Sequence, residues 1–294
     1  ISNNLIPSSF TVNGQTSSFI IISPQFVAWP GPADIDAILN YIIGAGYKAD
    51  QSRIYLTGFS AGGDVTWKYP NTSLTRSKRL AAMVPIAPFN NPYTDTGAHY
   101  IASGNLPVWA LHSNDDATAP ASWSQKFVNK VNSYNPPIPA KITRVNGVTH
   151  DGSKLYFNNP SFKVGGYNIY EWMLLYRRNY PPVANAGNDT AITLPVNSAM
   201  LNGFNSYDPE NGPISFNWIK ISGPSQYLIS NSAIGNPVLS NLVAGNYSFQ
   251  LTVTDTSGLF GKDTVRITVI NPNPNILPFA RAGADQQINF PQNA

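Results

Sequence analysis

Two hydrophobic rhythms run along the chain, and they occupy different halves. Up to about residue 180, short continuous apolar runs alternate with stretches of helical period. FIIIS at 19–23, RIYLT at 53–57, AAMVPI at 81–86, PVWALH at 107–112 and KITRV at 141–145 read as buried strands. Residues 33–43 carry apolar side chains at Ile35, Ile38, Leu39, Ile42 and Ile43, the three-to-four spacing of one helix face. Helices are also predicted over 61–69, 122–133 and 169–178. Strands that alternate with helices imply a mostly parallel sheet covered on both faces, an α/β fold.

The texture changes at Tyr180-Pro181-Pro182, where a proline pair cannot continue a helix. Beyond it come short alternating runs: ISFNW at 214–218, YSFQLTVT at 247–254 and DTVRITVI at 263–270. Turn signals such as Glu210-Asn211-Gly212-Pro213 and Ser257-Gly258 separate them. That spacing predicts an all-β sandwich. The stretch PPVANAGNDTAITLPVNSA at 181–199 is echoed by PFARAGADQQINFPQNA at 278–294, one small sandwich domain later. The expected organisation is therefore an α/β domain over 1–180, a sandwich over 181–271, and a linker with the start of a second sandwich over 272–294.

Composition narrows the function classes. There is no Cys, which removes disulfides, thiolate metal sites and thiol nucleophiles. A net charge of +3 without a basic run leaves no electrostatic footprint for nucleic acid. No apolar stretch approaches the ~20 residues of a membrane span. Charged residues make up 11%, against ~25% in ordinary soluble domains, and Asn, Ser, Thr, Gly and Pro take their place. That balance suits an extracellular β-rich protein. Residue 1 is Ile, with no charged and then apolar leader after it, so the chain reads as a mature or trimmed piece of something longer.

The chemistry concentrates at Gly58-Phe59-Ser60-Ala61-Gly62-Gly63, a G-x-S-x-G pattern with a strand entering and a helix leaving. A sharp strand-to-helix turn lifts the serine hydroxyl over the sheet edge, and Gly58 and Gly62 read as the positions of close backbone approach. The new helix aims its first amides at the serine, so Ala61 N–H is the expected oxyanion donor. A serine needs a base and the base needs an orienting carboxylate. Of three histidines, His150 sits in a loop after 141–145. His112 ends a strand and reads as structural, and His99 reads as a surface or packing residue. The carboxylate is expected just past His112, where Asp115 and Asp116 compete. Aromatic candidates for lining a substrate cleft are Trp29, Trp67, Phe89 and Trp123. Trp218 reads as core. Asp208, Glu210 and Asp255 read as turn formers, with a structural Ca²⁺ held through their oxygens as the alternative. No other cofactor or metal is expected.

Five ordered blocks, FIIISPQ at 19–25, the segment 47–63 around Ser60, AAMVPI at 81–86, PVWALH at 107–112 and the His150 loop, resemble the α/β-hydrolase superfamily. The similarity is to its secreted esterase branch: feruloyl and acetylxylan esterases, polyhydroxybutyrate depolymerases and related peptidases. The resemblance implies a Ser-Asp-His order. Its His-Gly-x-x-Asp-x-x-Val-Pro pattern falls on His112, Ser113, Asp116, Ala119 and Pro120, which selects Asp116. The Leu-His-Gly-x-Gly segment that supplies a second oxyanion donor in that branch has no counterpart before Phe19; either the chain is a fragment that lacks it, or the donor comes from elsewhere, such as the backbone near Gln25-Phe26. The second half, through Ala184-Asn185-Ala186-Gly187, Ser206-Tyr207-Asp208-Pro209 and Thr252-Val253-Thr254-Asp255, resembles a PKD-type immunoglobulin-like domain of secreted bacterial enzymes. The resemblances imply a secreted or cell-surface bacterial serine esterase acting on acyl groups of plant polysaccharide. The alternatives are a polyester depolymerase or serine peptidase with the same three residues, and a catalytically weak surface or adhesion module.

Overall fold

The computed structural model describes residues 6–47, 49–90, 94–154, 159–272 and 278–285. The chain divides into two compact units, Ile1–Tyr180 with Pro209–Gly212 and Pro181–Asp208 with Pro213–Ala294.

In the first unit four strands form a parallel sheet in the order β3 (Tyr55–Phe59), β4 (Ala82–Ile86), β5 (Trp109–Ser113) and β6 (Lys141–Val145). Parallel neighbours need crossovers, and helices supply them. α2 (Ala61–Asn71) and α3 (Leu74–Arg79) link β3 to β4, α4 (Asp95–Ser103) links β4 to β5, and α5 (Ala121–Asn132) links β5 to β6. β4 and β5 are buried along their whole length, so they run as near-continuous apolar text, whereas β3 and β6 are half-buried edges. Side chains still alternate between faces. Met83, Val108 and Ala110 pack with Trp67, Ile101 and Phe127 beneath α2, α4 and α5. Ala82, Val84, Trp109 and Leu111 face the opposite way, onto Phe10, Tyr170 and Trp172. Those last residues come from the hairpin β1 (Phe10–Val12) and β2 (Gln15–Ser17) and from the late helix α6 (Ile169–Met173).

Three sequence expectations need correction. The run at 19–23 is not a sheet strand among the described residues. Phe19 anchors it, edge-on to Phe10, Tyr55 and Tyr170. Ile20, Ile21 and Ile22 stay roughly half exposed. β-branched text favours a strand only where a ladder partner exists. Here the three isoleucines instead line an apolar cavity of about 630 Å³ with Ile38, Tyr41 and Ile42 of α1 (Pro32–Gly44). The last helix stops at Met173 instead of reaching 178. Leaving the helix frees Arg178 to donate to the carbonyls of Ser77, Gly104 and Leu80, at the ends of α3 and α4. Trp67 is core, not cleft: it is fully buried and stacked on Phe127 at 4.2 Å.

The second unit is a β-sandwich. One sheet runs β7 (Thr190–Thr193), β13 (Phe260–Ile270), β12 (Gly245–Asp255), β9 (Ile214–Ser222). The other runs β10 (Leu228–Ile229), β11 (Val238–Ser240), β8 (Ala199–Met200). Strict alternation on β12 buries Tyr247, Phe249, Leu251 and Val253 against Val265, Ile267 and Trp218. Trp218 satisfies its indole N–H on the Ile234 carbonyl at 3.2 Å. Asp255 accepts from Ser257 N, Ser257 Oγ and Leu259 N, holding a tight turn. Among the described residues no cluster of three or more carboxylate or imidazole groups is arranged to hold a metal ion. The second repeat start, expected over 278–294, lies outside the described residues from 286 onward.

Candidate active site

The site begins with a backbone that only certain residues tolerate. Ser60 sits between β3 and α2 at φ 55°, ψ −114°, a costly conformation for a side-chain-bearing residue. Its N–H donates to the Ile86 carbonyl at 3.0 Å, and its carbonyl accepts from Asp64 N at 3.0 Å and Phe89 N at 3.2 Å. The end of β4 thus holds the strained turn in place. A Cβ on Gly58 would sit 2.4 Å from the Gly62 backbone, and one on Gly63 would sit 2.5 Å from the Ile86 oxygen. A Cβ on Gly62 would meet nothing within 4 Å. The close-approach glycines are therefore Gly58 and Gly63. Gly62 is the backbone approached, a correction to the sequence expectation.

The loops after β5 and β6 bring the other two groups in. His150 Nε2 lies 2.9 Å from Ser60 Oγ, and His150 Nδ1 lies 2.6 Å from Asp116 Oδ2. The imidazole also rests against the Phe59 ring, centroids 4.9 Å apart. Asp116 is fully buried, and its Oδ1 accepts from Thr118 N at 2.9 Å and Ala119 N at 2.8 Å. Burial pushes this carboxyl up, but the His150 bond and the two backbone amides outweigh it and hold the group below its ordinary range. Because the carboxylate only accepts, Nδ1 of His150 carries the proton and Nε2 turns its lone pair to the serine hydroxyl.

Asp115 does different work. Its Oδ2 accepts from Gly147 N at 2.5 Å, where Gly147 takes a left-handed φ of 73°. Asn114 N donates to Val145 O at 2.7 Å, Asn114 Nδ2 to Asn146 Oδ1 at 2.5 Å, and Ser113 Oγ to Val148 O. Four bonds therefore lace the carboxylate loop to the histidine loop.

His112 is buried as expected, and it also touches the site. Its Nε2 faces two acceptors, Ala119 O at 2.8 Å and Asp116 Oδ2 at 3.3 Å. Nε2 must then carry the proton, and Nδ1 accepts from Ser124 Oγ at 2.9 Å. Asp116 is shared by two imidazoles. Burial keeps the His112 pKa below its ordinary 6.5. Below that pH the unfolded chain takes up a proton that the folded ring refuses, so stability falls on acidification. Urea midpoints between about pH 7.5 and about pH 5.5 should decline in the wild type, and His112→Gln should flatten that slope.

Among the remaining expected residues, Ala61 opens α2, where its N–H has no intrahelical carbonyl to bond. Gln25 is exposed on the coil after Phe19, and among the described residues it makes no hydrogen bond to Ser60, Asp116 or His150. Trp123 is half-buried on the first turn of α5. Trp29 and Phe89 are both substantially exposed and lie 6.1 Å apart at a 44° tilt. Asp64, one turn after Ser60, was not anticipated: its carboxylate is fully buried and accepts from the Trp29 indole. No motif marks it: Lys68, four residues on, makes an ordinary helical ion pair with it, and its other partners Trp29 and Asn90 are far away in sequence.

Residues 186–269 match the family model described as K319L-like, PKD domain, and the sandwich unit carries that domain. The human dyslexia-associated protein KIAA0319 is 29% identical over 244 residues, 76% of this chain and 22% of that protein. The mouse KIAA0319-like protein is 40% identical over 116 residues, 38% of this chain and 11% of that protein. The chain thus spans about a fifth or less of the length of these curated relatives. Among solved structures, a thermostable esterase covers 50% of this chain and 36% of its own, at 22% identity and a TM-score of 0.41.

Proposed function

We propose that the first unit is a serine hydrolase that cleaves carboxylic esters, with Ser60 as nucleophile, His150 as general base and Asp116 as its orienting carboxylate. The observation that carries this reading is the continuous relay of 2.9 Å from Ser60 Oγ to His150 Nε2 and 2.6 Å from His150 Nδ1 to Asp116 Oδ2. His150 takes the hydroxyl proton as Ser60 Oγ attacks the ester carbonyl carbon. The tetrahedral oxyanion sits at the N-terminus of α2, where Ala61 N–H donates to it. The alcohol leaves with the proton from His150, giving an acyl-enzyme. Water, deprotonated by the same imidazole, attacks the acyl carbon and releases the acid and Ser60. Asp116 stays ionised throughout and stabilises the imidazolium.

The physiological substrate in this reading is an acyl ester on extracellular polysaccharide, in keeping with the resemblance to secreted esterases and with the low charge content. A fluorophosphonate probe tests the core of it. Stoichiometric labelling of the wild-type chain, lost in Ser60→Ala, is expected together with release of nitrophenol from short-chain nitrophenyl esters. Equal turnover by wild type and Ser60→Ala, with no labelling, sinks the proposal.

A further inference from the structure

Beside Ser60 lies a feature that the relay does not use. Asp64 is fully buried, and its Oδ2 collects three donors: Lys68 Nζ at 2.6 Å, Trp29 Nε1 at 3.3 Å and Asn90 Nδ2 at 3.4 Å. Its Oδ1 is buried with no hydrogen-bond partner. A carboxylate with an orphaned oxygen is an expensive brace, because burying an unpaired acceptor costs free energy that a simple packing residue avoids. What the brace holds is a pair of aromatic rings. Trp29 stays 54% exposed and Phe89 43% exposed, although both are large apolar side chains. Phe89 is tied to the nucleophile through its own N–H on the Ser60 carbonyl. Asp64 is tied through its N–H on that same carbonyl. The two rings are therefore referenced to Ser60 by backbone bonds, one from the loop after β4 and one through the first turn of α2.

The geometry points to Trp29 and Phe89 as a binding platform for a ring-bearing ester, with Asp64 as the positioning residue that sets the platform through the Trp29 indole. The ligand chemistry is the flat apolar face of a six-membered ring, carried next to the scissile carbonyl. An aromatic acyl group or an acylated pyranose presents it. Exposed, tilted aromatics bind such faces by stacking and CH–π contact, and a ring fixed by its N–H loses less entropy on binding. Exposed aromatics that served only packing would not need a buried carboxylate to orient them. This inference rests on the reading of Ser60 as nucleophile, but its binding half stands apart from turnover.

Two ester pairs and one binding assay test it. Methyl cinnamate is compared with methyl hexanoate, and an acetylated methyl glucoside with ethyl acetate. Trp29→Ala and Phe89→Ala should each lower kcat/KM for the ring-bearing member by about tenfold more than for its alkyl partner, mainly through KM. Trp29→Phe keeps a ring but removes the indole donor, and should lose part of the same preference. Asp64→Ala should lose it too, whereas Asp64→Asn, which keeps an acceptor for the indole, should restore it. A merely structural Asp64 would lower the melting temperature and reduce both members of each pair equally. Either pair showing the ring preference upholds the platform, and which pair shows it identifies the ring. Equal losses within both pairs overturn it. Binding of cinnamamide and hexanamide to Ser60→Ala, followed by tryptophan fluorescence, separates the two readings. Cinnamamide should bind more tightly, and Phe89→Ala in that background, which keeps the Trp29 reporter, should erase most of the difference. Equal binding rules out the aromatic acyl ring, and together with no ring preference in the glucoside pair it overturns the platform even if the wild type is an active esterase. Preferential binding upholds it even if the wild type turns over nothing.

Discussion

His150→Ala is expected to lower kcat on a nitrophenyl ester by roughly 10⁶-fold, with little change in KM. Asp116→Asn should cost about 10⁴-fold, because an amide at that position disturbs the tautomer that keeps the Nε2 lone pair facing Ser60. Asp115→Asn should cost only roughly tenfold, since its carboxylate braces Gly147 at 2.5 Å and never meets the imidazole. Steady-state kinetics on the three variants therefore separates the two adjacent carboxylates by three orders of magnitude or so. Comparable losses at 115 and 116 would mean that the 2.6 Å bond to His150 is not what orients the base.

The second large effect concerns the turn beneath Ser60. Gly63→Ala should destabilise the first unit by about 3 kcal/mol, because the new methyl group lands 2.5 Å from the Ile86 carbonyl oxygen, and neither the strand nor the helix can yield alone. Gly58→Ala meets the same obstacle at 2.4 Å from the Gly62 backbone. Gly62→Ala should be tolerated, with a gain of about 0.5 kcal/mol, since its Cβ would enter open space near the start of a helix. Thermal unfolding of the three variants reads the ranking directly. The reverse order, with Gly62→Ala the worst, would contradict the packing described for this turn.

Strand ends made Ser60, His150 and the Asp115-Asp116 pair legible in the text, and the resemblance to the α/β-hydrolase pattern chose Asp116 from the pair. Ser60 follows RIYLT, Asp116 follows PVWALH, and His150 follows KITRV. Strand-and-helix alternation places such ends on one edge of a parallel sheet. What escaped the text depended on neighbours distant in sequence. Trp67 is a cleft candidate only as an aromatic close after Ser60 in sequence, and its burial is a property of the packing around α2. The helix packs against α1, α3 and α4 at once, so most of its faces are buried. The isoleucines at 20–22 have strand-like composition, but a ladder is a property of two segments and composition describes only one. Gly62 and Gly63 look alike in sequence, and only the direction of the Ile86 carbonyl tells them apart. The sandwich was easier to foresee, since antiparallel strands with one buried face print their alternation directly, as on β12.

The lacing between 113–115 and 146–148 constrains anyone who would redesign this site. Trimming, lengthening or grafting one of these two segments without the other would strand Gly147 N–H and the Val148 carbonyl, and with them the anchor of the general base. The pair is best exchanged as a single cassette, a unit of engineering that spans a helix and a strand in the sequence but only a few hydrogen bonds in space.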